Sequence, residues 1–291
     1  MDYTKLLPPR VQNSHKGTFG KVLNIAGSLN YQGAAYLSSI SALKIGAGYV
    51  TLATPDYIVG DVASLGADVT FLPLGDSILD KLYLIEENLP KYGVVSIGCG
   101  LGCDNRTVFF VEKVLDLLEK TEIPVVIDAD AINALALSNR ANLPKNSIIT
   151  PHEGELARLL KIKPSEVSLI REGFAKEISK KLSCTTVLKG HKSVVCSVDL
   201  NVVVNKTGNS SLAKAGSGDV LTGMIAGLLA QGLNTYDAAL LGVYLHGLTG
   251  EVASENLSEY SVLASDLLKF IPVVVKNLHK LATFPIDNVL D

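Results

Sequence analysis

The four cysteines, Cys99, Cys103, Cys184 and Cys196, include no Cys-x-x-Cys pair. Cys99 and Cys103 flank Gly-Leu-Gly, which reads as a turn rather than a metal knuckle. All four read as small buried or half-buried thiols, and a reducing compartment fits them. Basic clusters are equally scarce. No block of five or more Lys or Arg occurs and the formal net charge is -3, so nothing marks a nucleic-acid partner. Isolated basic residues remain free to meet phosphates. The N-terminal segment Met1 to Pro9 has no apolar core of a signal peptide, and no window approaches about 18 uninterrupted apolar residues. A soluble, cytoplasmic protein with no membrane partner is expected. Pro/Ser-rich linkers, composition breaks and internal repeats are also missing. The 291 residues, 47% of them hydrophobic, can fill one large core, so a single domain over 1–291 is expected.

What is present is a repeated rhythm of short β-branched run, glycine turn and helical stretch. Lys21 to Ala26 reads as a buried strand ended by Gly27-Ser28, and Gly33 to Ile45 follows at helical spacing. Tyr49 to Ala53 is the next strand, stopped by Pro55. Val94 to Ile97 precedes the helix Thr107–Glu119, Pro124 to Asp128 precedes Ala131–Leu137, and Ser147 to Thr150 precedes Glu153–Leu160. Continuous apolar strands separated by helices imply a mainly parallel sheet covered on both faces. After Ser183 the strands 185–188, 193–197 and 201–204 crowd too closely for intervening helices, so antiparallel strands are expected at one sheet edge. Helices are expected over 219–231, 235–254 and 262–278.

The sharpest chemical signal is the loop from Asn205 to Lys214 leading into Ala215-Gly216-Ser217-Gly218-Asp219 and an apolar helix. Glycines there let the backbone approach a ligand and leave amide groups unpaired at the positive end of the helix dipole. Such an anion hole, Gly216 to Gly218, suits the charge on a transferring phosphoryl group, and Asp219 in the first turn can act as a base. A plain capped helix start would look the same in isolation. Leu188-Lys189-Gly190-His191-Lys192-Ser193 is a strand end and tight turn, able to offer backbone groups to a nucleotide with Lys189 near its phosphates. His152, in Thr150-Pro151-His152-Glu153-Gly154-Glu155, falls at the carboxyl end of an expected parallel strand, where ligands bind in open α/β sheets. Gly98 to Gly102 superficially resembles a dinucleotide fingerprint, but a lone glycine run is weak evidence. With the Gly27–Gly33 loop, five strand-end loops converge on one crevice, which weighs more than any one of them.

Together these residues resemble the ADP/ATP-dependent NAD(P)H-hydrate dehydratases of the ribokinase-like superfamily. The resemblance runs through Lys16-Gly17-Thr18-Phe19-Gly20-Lys21-Val22, Gly46 to Gly48, Gly100-Leu101-Gly102, Asp128-Ala129-Asp130-Ala131, Pro151 to Glu155, Leu188-Lys189-Gly190 and the closing Gly-Ser-Gly-Asp. It implies a three-layer αβα sandwich. It places ADP or ATP along Lys189, Gly190, His191, Lys192, Ser193 and Gly218, and the hydrate near Ala34, Gly102, His152 and Asp219, with Asp219 as catalytic base. Mg²⁺ would bridge the nucleotide phosphates, with no protein metal cage. The resemblance also implies a homo-oligomer, a tetramer among its candidate forms. The epimerase domain that precedes many relatives is not expected, because the family pattern starts almost at residue 1. The chain departs from the family at Ser210, Ser211, Leu212, Lys214 and Ser217, where relatives carry Pro, Gly, Met, Thr and Thr. Lys214 thus adds a positive charge beside the expected phosphate site.

Two other functions stay open on the residues alone. A small-molecule kinase of the same superfamily, acting on a vitamin precursor or sugar, would share the Gly-Asp helix start. A nucleotide-sensing module without turnover would not need Asp219.

Overall fold

The computed structural model describes residues 2–138 and 140–281; of the range 1–291, positions 1, 139 and 282–291 lie outside the described residues. From the N-terminus run β1 (Lys21–Ile25), α1 (Gln32–Ile45), β2 (Tyr49–Pro55), α2 (Val59–Leu65), β3 (Thr70–Leu74), α3 (Ile78–Asn88) and β4 (Val94–Ile97). Then follow α4 (Asn105–Leu118), β5 (Val125–Ile127), α5 (Ala129–Leu137), β6 (Ser147–Ile149), α6 (Glu153–Leu160), α7 (Pro164–Leu169) and α8 (Arg171–Leu182). The chain continues through β7 (Thr185–Leu188), β8 (Val194–Cys196), β9 (Val202–Val204), α9 (Ser217–Ala230), α10 (Thr235–Leu257) and α11 (Ala264–Leu281).

The strands form one nine-stranded sheet in the order β3-β2-β1-β4-β5-β6-β7-β8-β9. Every pairing from β3 across to β7 is parallel, whereas β8 and β9 join antiparallel at one edge, as expected. Alternation along each strand feeds two cores. Val22, Val94, Val126 and Val187 turn to the face covered by α1, α9, α10 and α11. Leu23, Val95, Ile127 and Leu188 turn to the face covered by α3, α4, α5, α6 and α8. Both faces being apolar explains why the strands read as continuous rather than alternating runs. The result is a three-layer αβα sandwich. Among the described residues no helix is long and apolar enough to cross a membrane.

Two details position the site. The β1-to-β2-to-β3 progression runs to one side of β1, and β4 returns to the other, so the sheet has a switch point between β1 and β4. Crevices at the carboxyl ends of strands beside such a point are where open α/β folds bind ligands. On the first face, α9 lies almost against the backbone of α1: a Cβ added at Gly223 would stand 2.0 Å from the Ser38 carbonyl oxygen. This close approach fixes the N-terminus of α9 over the strand ends.

The structure adds elements that the sequence pattern did not suggest: β3 with its flanking helices α2 and α3, and the pair α7 and α8. Helix α9 starts at Ser217, two residues before the expected Asp219, and Asp219 still falls in its first turn. Three thiols, Cys99, Cys184 and Cys196, are buried and Cys103 is exposed.

Candidate functional site

The carboxyl ends of β4, β5, β6 and β7 meet the N-terminus of α9. Directly after β5, Asp128 is 1% exposed, and both its oxygens are engaged. Lys189 Nζ donates to Oδ1 at 2.6 Å and Thr222 Oγ1 donates to Oδ2 at 2.6 Å. Gly98 lets the β4 loop close over this point: a Cβ there, at a backbone φ of +127°, would stand 1.8 Å from the Asp128 carbonyl oxygen. Lys189 Nζ also lies 3.9 Å from Glu155 Oε2. Burial opposes the lysine charge, yet the Asp128 and Glu155 carboxylates hold it above the usual lysine range. Burial raises the Glu155 carboxyl in turn, against the pull of Lys189.

Asp219 sits beside this pair. The Cys99 thiol and the carboxylate oxygens of Asp128 and Asp219 lie within 4.8 Å of one another. Burial, and next the Asp128 charge, push the Asp219 carboxyl up to about 6, while a hydrogen bond with Cys99 pulls it back. Burial, with Asp219 and Asp128, holds the Cys99 thiol well above its usual range, so it stays protonated. A carboxylate near 6 is ionised at neutral pH and still basic enough to take a proton.

A cleft of about 570 Å³ opens next to these groups, lined by His152, Lys189, Gly190, His191, Lys192, Ser193, Ser217 and Gly218. The structure therefore brings the residues expected for the nucleotide into one cavity, and His152 lies in its wall as well. At the start of α9, Gly216 takes a φ of 90° and no side chain caps the helix. The Ser217 amide donates to the Lys214 carbonyl at 3.2 Å and the Val220 amide to the Gly216 carbonyl at 3.1 Å. That leaves the Gly218 and Asp219 amides as the unpaired donors of the first turn.

His152 is the N-cap of α6. Its Nδ1 accepts from the Gly154 and Glu155 amides at 3.0 and 3.3 Å, so the proton of the neutral ring sits on Nε2. Burial, then Lys189 and Arg158, lower its pKa. The β6 and β7 loops are tied together here, because the Lys189 amide donates to the Pro151 carbonyl at 2.8 Å. Ala34, in the first turn of α1, abuts Gly100, where an added Cβ would stand 2.8 Å from the Ala34 Cβ. The Gly102 amide donates to Asp130 Oδ2 at 2.8 Å, which clamps the β4 loop to α5. Lys214 lines the cleft, but its ammonium donates to the Tyr260 carbonyl at 2.5 Å.

Two members escaped the sequence analysis. His246, inside α10, is 8% exposed and lies 3.2 Å through Nε2 from the Ser217 hydroxyl in the cleft wall. Burial pushes it down to about 4, so it is neutral. Thr222, one helical turn beyond Gly218, holds Asp128 in place.

Among the described residues the candidate cation cluster is Cys99, Asp128 and Asp219. It fits a resident Mg²⁺ poorly, since a hard cation prefers oxygen ligands and the Asp128 oxygens are already bonded.

Comparison with known proteins agrees with this geometry. The NAD(P)H-hydrate dehydratase family profile matches residues 22–273. The chain is 40% identical over 281 residues to a bifunctional NAD(P)H-hydrate repair enzyme of Moorella thermoacetica, covering 94% of this chain and 52% of that protein. It thus spans about half the length of that relative. It is 37% identical over 251 residues to the ADP-dependent (S)-NAD(P)H-hydrate dehydratase of Neisseria meningitidis, covering 85% of this chain and 81% of that one. A crystal structure of the ADP/ATP-dependent NAD(P)H-hydrate dehydratase of Bacillus subtilis, co-crystallised with ATP/Mg²⁺, superposes with a TM-score of 0.84 at 32% identity, covering 94% and 95% of the two chains. The architecture is the ribokinase-like one. The chain belongs to the NAD(P)H-hydrate dehydratase family.

Proposed function

We propose that this chain dehydrates the S-form of hydrated NADH and NADPH, converting ADP to AMP, or ATP to ADP, with release of phosphate. The observation that carries this reading is Asp219: a partly desolvated carboxylate in the first turn of α9, next in sequence to Ser217 and Gly218 of the wall of the cleft that Lys189–Ser193 also line, with unpaired amides beside it.

The hydrate carries a hydroxyl on its reduced nicotinamide ring, and hydroxide leaves poorly. Asp219 takes the hydroxyl proton as that oxygen attacks the terminal phosphoryl of the nucleotide, and the nucleotide's bridging P–O bond breaks. The Gly218 and Asp219 amides and the dipole of α9 stabilise the charge in flight. The new ring C–O–P ester then loses phosphate, the neighbouring ring carbon loses a proton, and the double bond returns. Asp128 is occupied throughout by Lys189 and Thr222, so it fixes the lysine and raises the basicity of Asp219. Mg²⁺ travels with the nucleotide and supplies charge neutralisation on its phosphates, since the side-chain cluster is a poor cage for it. We extend the proposal to a single catalytic domain and a cytoplasmic homo-oligomer, with a tetramer to be sought by light scattering.

The test is incubation with hydrated NADH or NADPH, Mg²⁺ and either nucleotide, following the return of near-ultraviolet absorbance. No recovery with either hydrate, while ADP-dependent phosphorylation of a vitamin precursor proceeds, would instead favour a kinase. His152→Ala is expected to raise the KM for the hydrate more than that for the nucleotide, measured by paired titrations. Its N-cap role adds a stability loss of about 1 kcal/mol, and His152→Asn should recover that part alone. Lys214→Thr is expected to change the KM for ADP by less than about fivefold, since its ammonium is held by the Tyr260 carbonyl and an exposed charge contributes about 0–1 kcal/mol. A larger rise that fades with salt would put Lys214 on the phosphates.

A further inference from the structure

The Lys16–Lys21 opening, one of the segments that carry the family resemblance, has no place in the catalytic cleft. Strands β1, β2, β3 and β4 are parallel and their carboxyl ends face the cleft side, so Lys21 at the start of β1, and Lys16 before it, lie at the opposite, amino-terminal end of the strands. The five residues of β1, at about 3.3 Å each, put roughly 17 Å between the two ends of the strands.

At that far end is a cavity of about 340 Å³, within the size range of small-molecule sites. Lys16, Lys21 and Lys91 line it, and no Asp or Glu does. None of these lysines forms an ion pair among the described residues. Three positive charges thus converge in a chain whose net charge is -3. Lys16 Nζ stands 5.2 Å from the centre of the Tyr49 ring, and Lys91 Nζ donates to Asn88 Oδ1 at 2.7 Å. The wall between them is neutral and polar: Thr51 and Thr70 share a hydrogen bond of 3.0 Å. Burial raises the Tyr92 phenol, so it remains an O–H donor rather than a competing anion. Phe71 supplies an apolar side.

We propose that this cavity is a second binding site, separate from the catalytic cleft, for a compact phosphorylated anion. The lysines meet the phosphate oxygens as mobile point charges, the Tyr92 phenol adds a neutral donor, and the aromatic wall accommodates the organic part of the ligand. The site does not depend on which reaction the cleft performs.

Inorganic triphosphate is the probe. Calorimetric titration of the unmodified chain should show one more site than titration of Lys16→Gln/Lys91→Gln, whose replaced side chains are exposed and leave both cores untouched. The variant's KM for ADP should stay within twofold. Because the chain has no tryptophan, Phe71→Trp places a lone indole in the cavity, and its fluorescence should follow the same isotherm. Adding the two lysine replacements should weaken the response at least tenfold. Identical site counts and affinities in the unmodified chain and the lysine variant overturn the proposal. So does an indole signal that the lysine replacements leave unchanged.

Discussion

Asp219→Asn is expected to lower kcat by about 10²–10⁴-fold or more while leaving the nucleotide Kd within about twofold. Asn keeps the shape of the side chain and loses its basicity, so an interaction made only in the transition state disappears. The pH dependence of the unmodified chain supplies a linked test. With the Asp219 carboxyl pushed up to about 6, first by burial and then by Asp128, activity should fall as the pH drops through that value. Stability should move the other way. A carboxyl raised by folding binds its proton more tightly in the native state, so its contribution is complete below the unfolded value and is lost as the pH rises through about 6. The Asn variant does not suffer that loss. Its Tm should therefore exceed that of the unmodified chain at about pH 8, with no such gain near pH 4. Near-normal turnover in the variant would remove Asp219 as the base. A lower Tm at high pH would show that the ionised carboxylate is better paired than its surroundings indicate.

Much of this arrangement was legible in the sequence because its signals are local. Gly216-Ser217-Gly218-Asp219 announces a helix start within four residues, and Leu188-Lys189-Gly190 announces a strand end within three. The two-faced sheet follows from strands such as Val125–Ile127, buried throughout. Strand β3 was harder to see, since it lies at the sheet edge, contains Pro73 and buries only Leu74 fully. Helix α8 did carry a signal, Phe174, Ile178 and Leu182 at four-residue spacing, diluted by charged neighbours in Arg171–Leu182. His246 could not be separated from an ordinary core residue, because what distinguishes it is Ser217, 29 positions away. Asp128 shows the same limit. The Asp-Ala-Asp run stood out, but its partners Lys189 and Thr222 are 61 and 94 positions distant, and only the sheet order brings them together.

That long-range pair yields the second large effect. Lys189→Met is expected to cost about 3–5 kcal/mol of stability, measured by urea unfolding, since it strands a carboxylate that is 1% exposed. The cost comes from the charge left behind rather than from the lost side chain, so it should be largely reversed by removing that charge. Lys189→Met/Asp128→Asn replaces a buried ion pair with neutral groups, and a double-mutant cycle should return most of the lost stability. Thr222 tempers the loss in the single variant, because its hydroxyl continues to donate to Asp128 Oδ2 at 2.6 Å. Thr222→Val alone should cost about 1–3 kcal/mol, as expected when a buried acceptor loses its donor. The charge balance around Asp219 shifts as well. The Lys189 ammonium draws that carboxyl downward while Asp128 and Asp130 push it up and Cys99 draws it down, so removing Lys189 should raise the acidic limb of any remaining activity. Adding Asp128→Asn should bring the limb back below that of the unmodified chain, because burial and Asp130 then act without the larger carboxylate repulsion. If Lys189→Met unfolds no more easily than the unmodified chain, the Lys189–Asp128 pair carries no net stability in the fold.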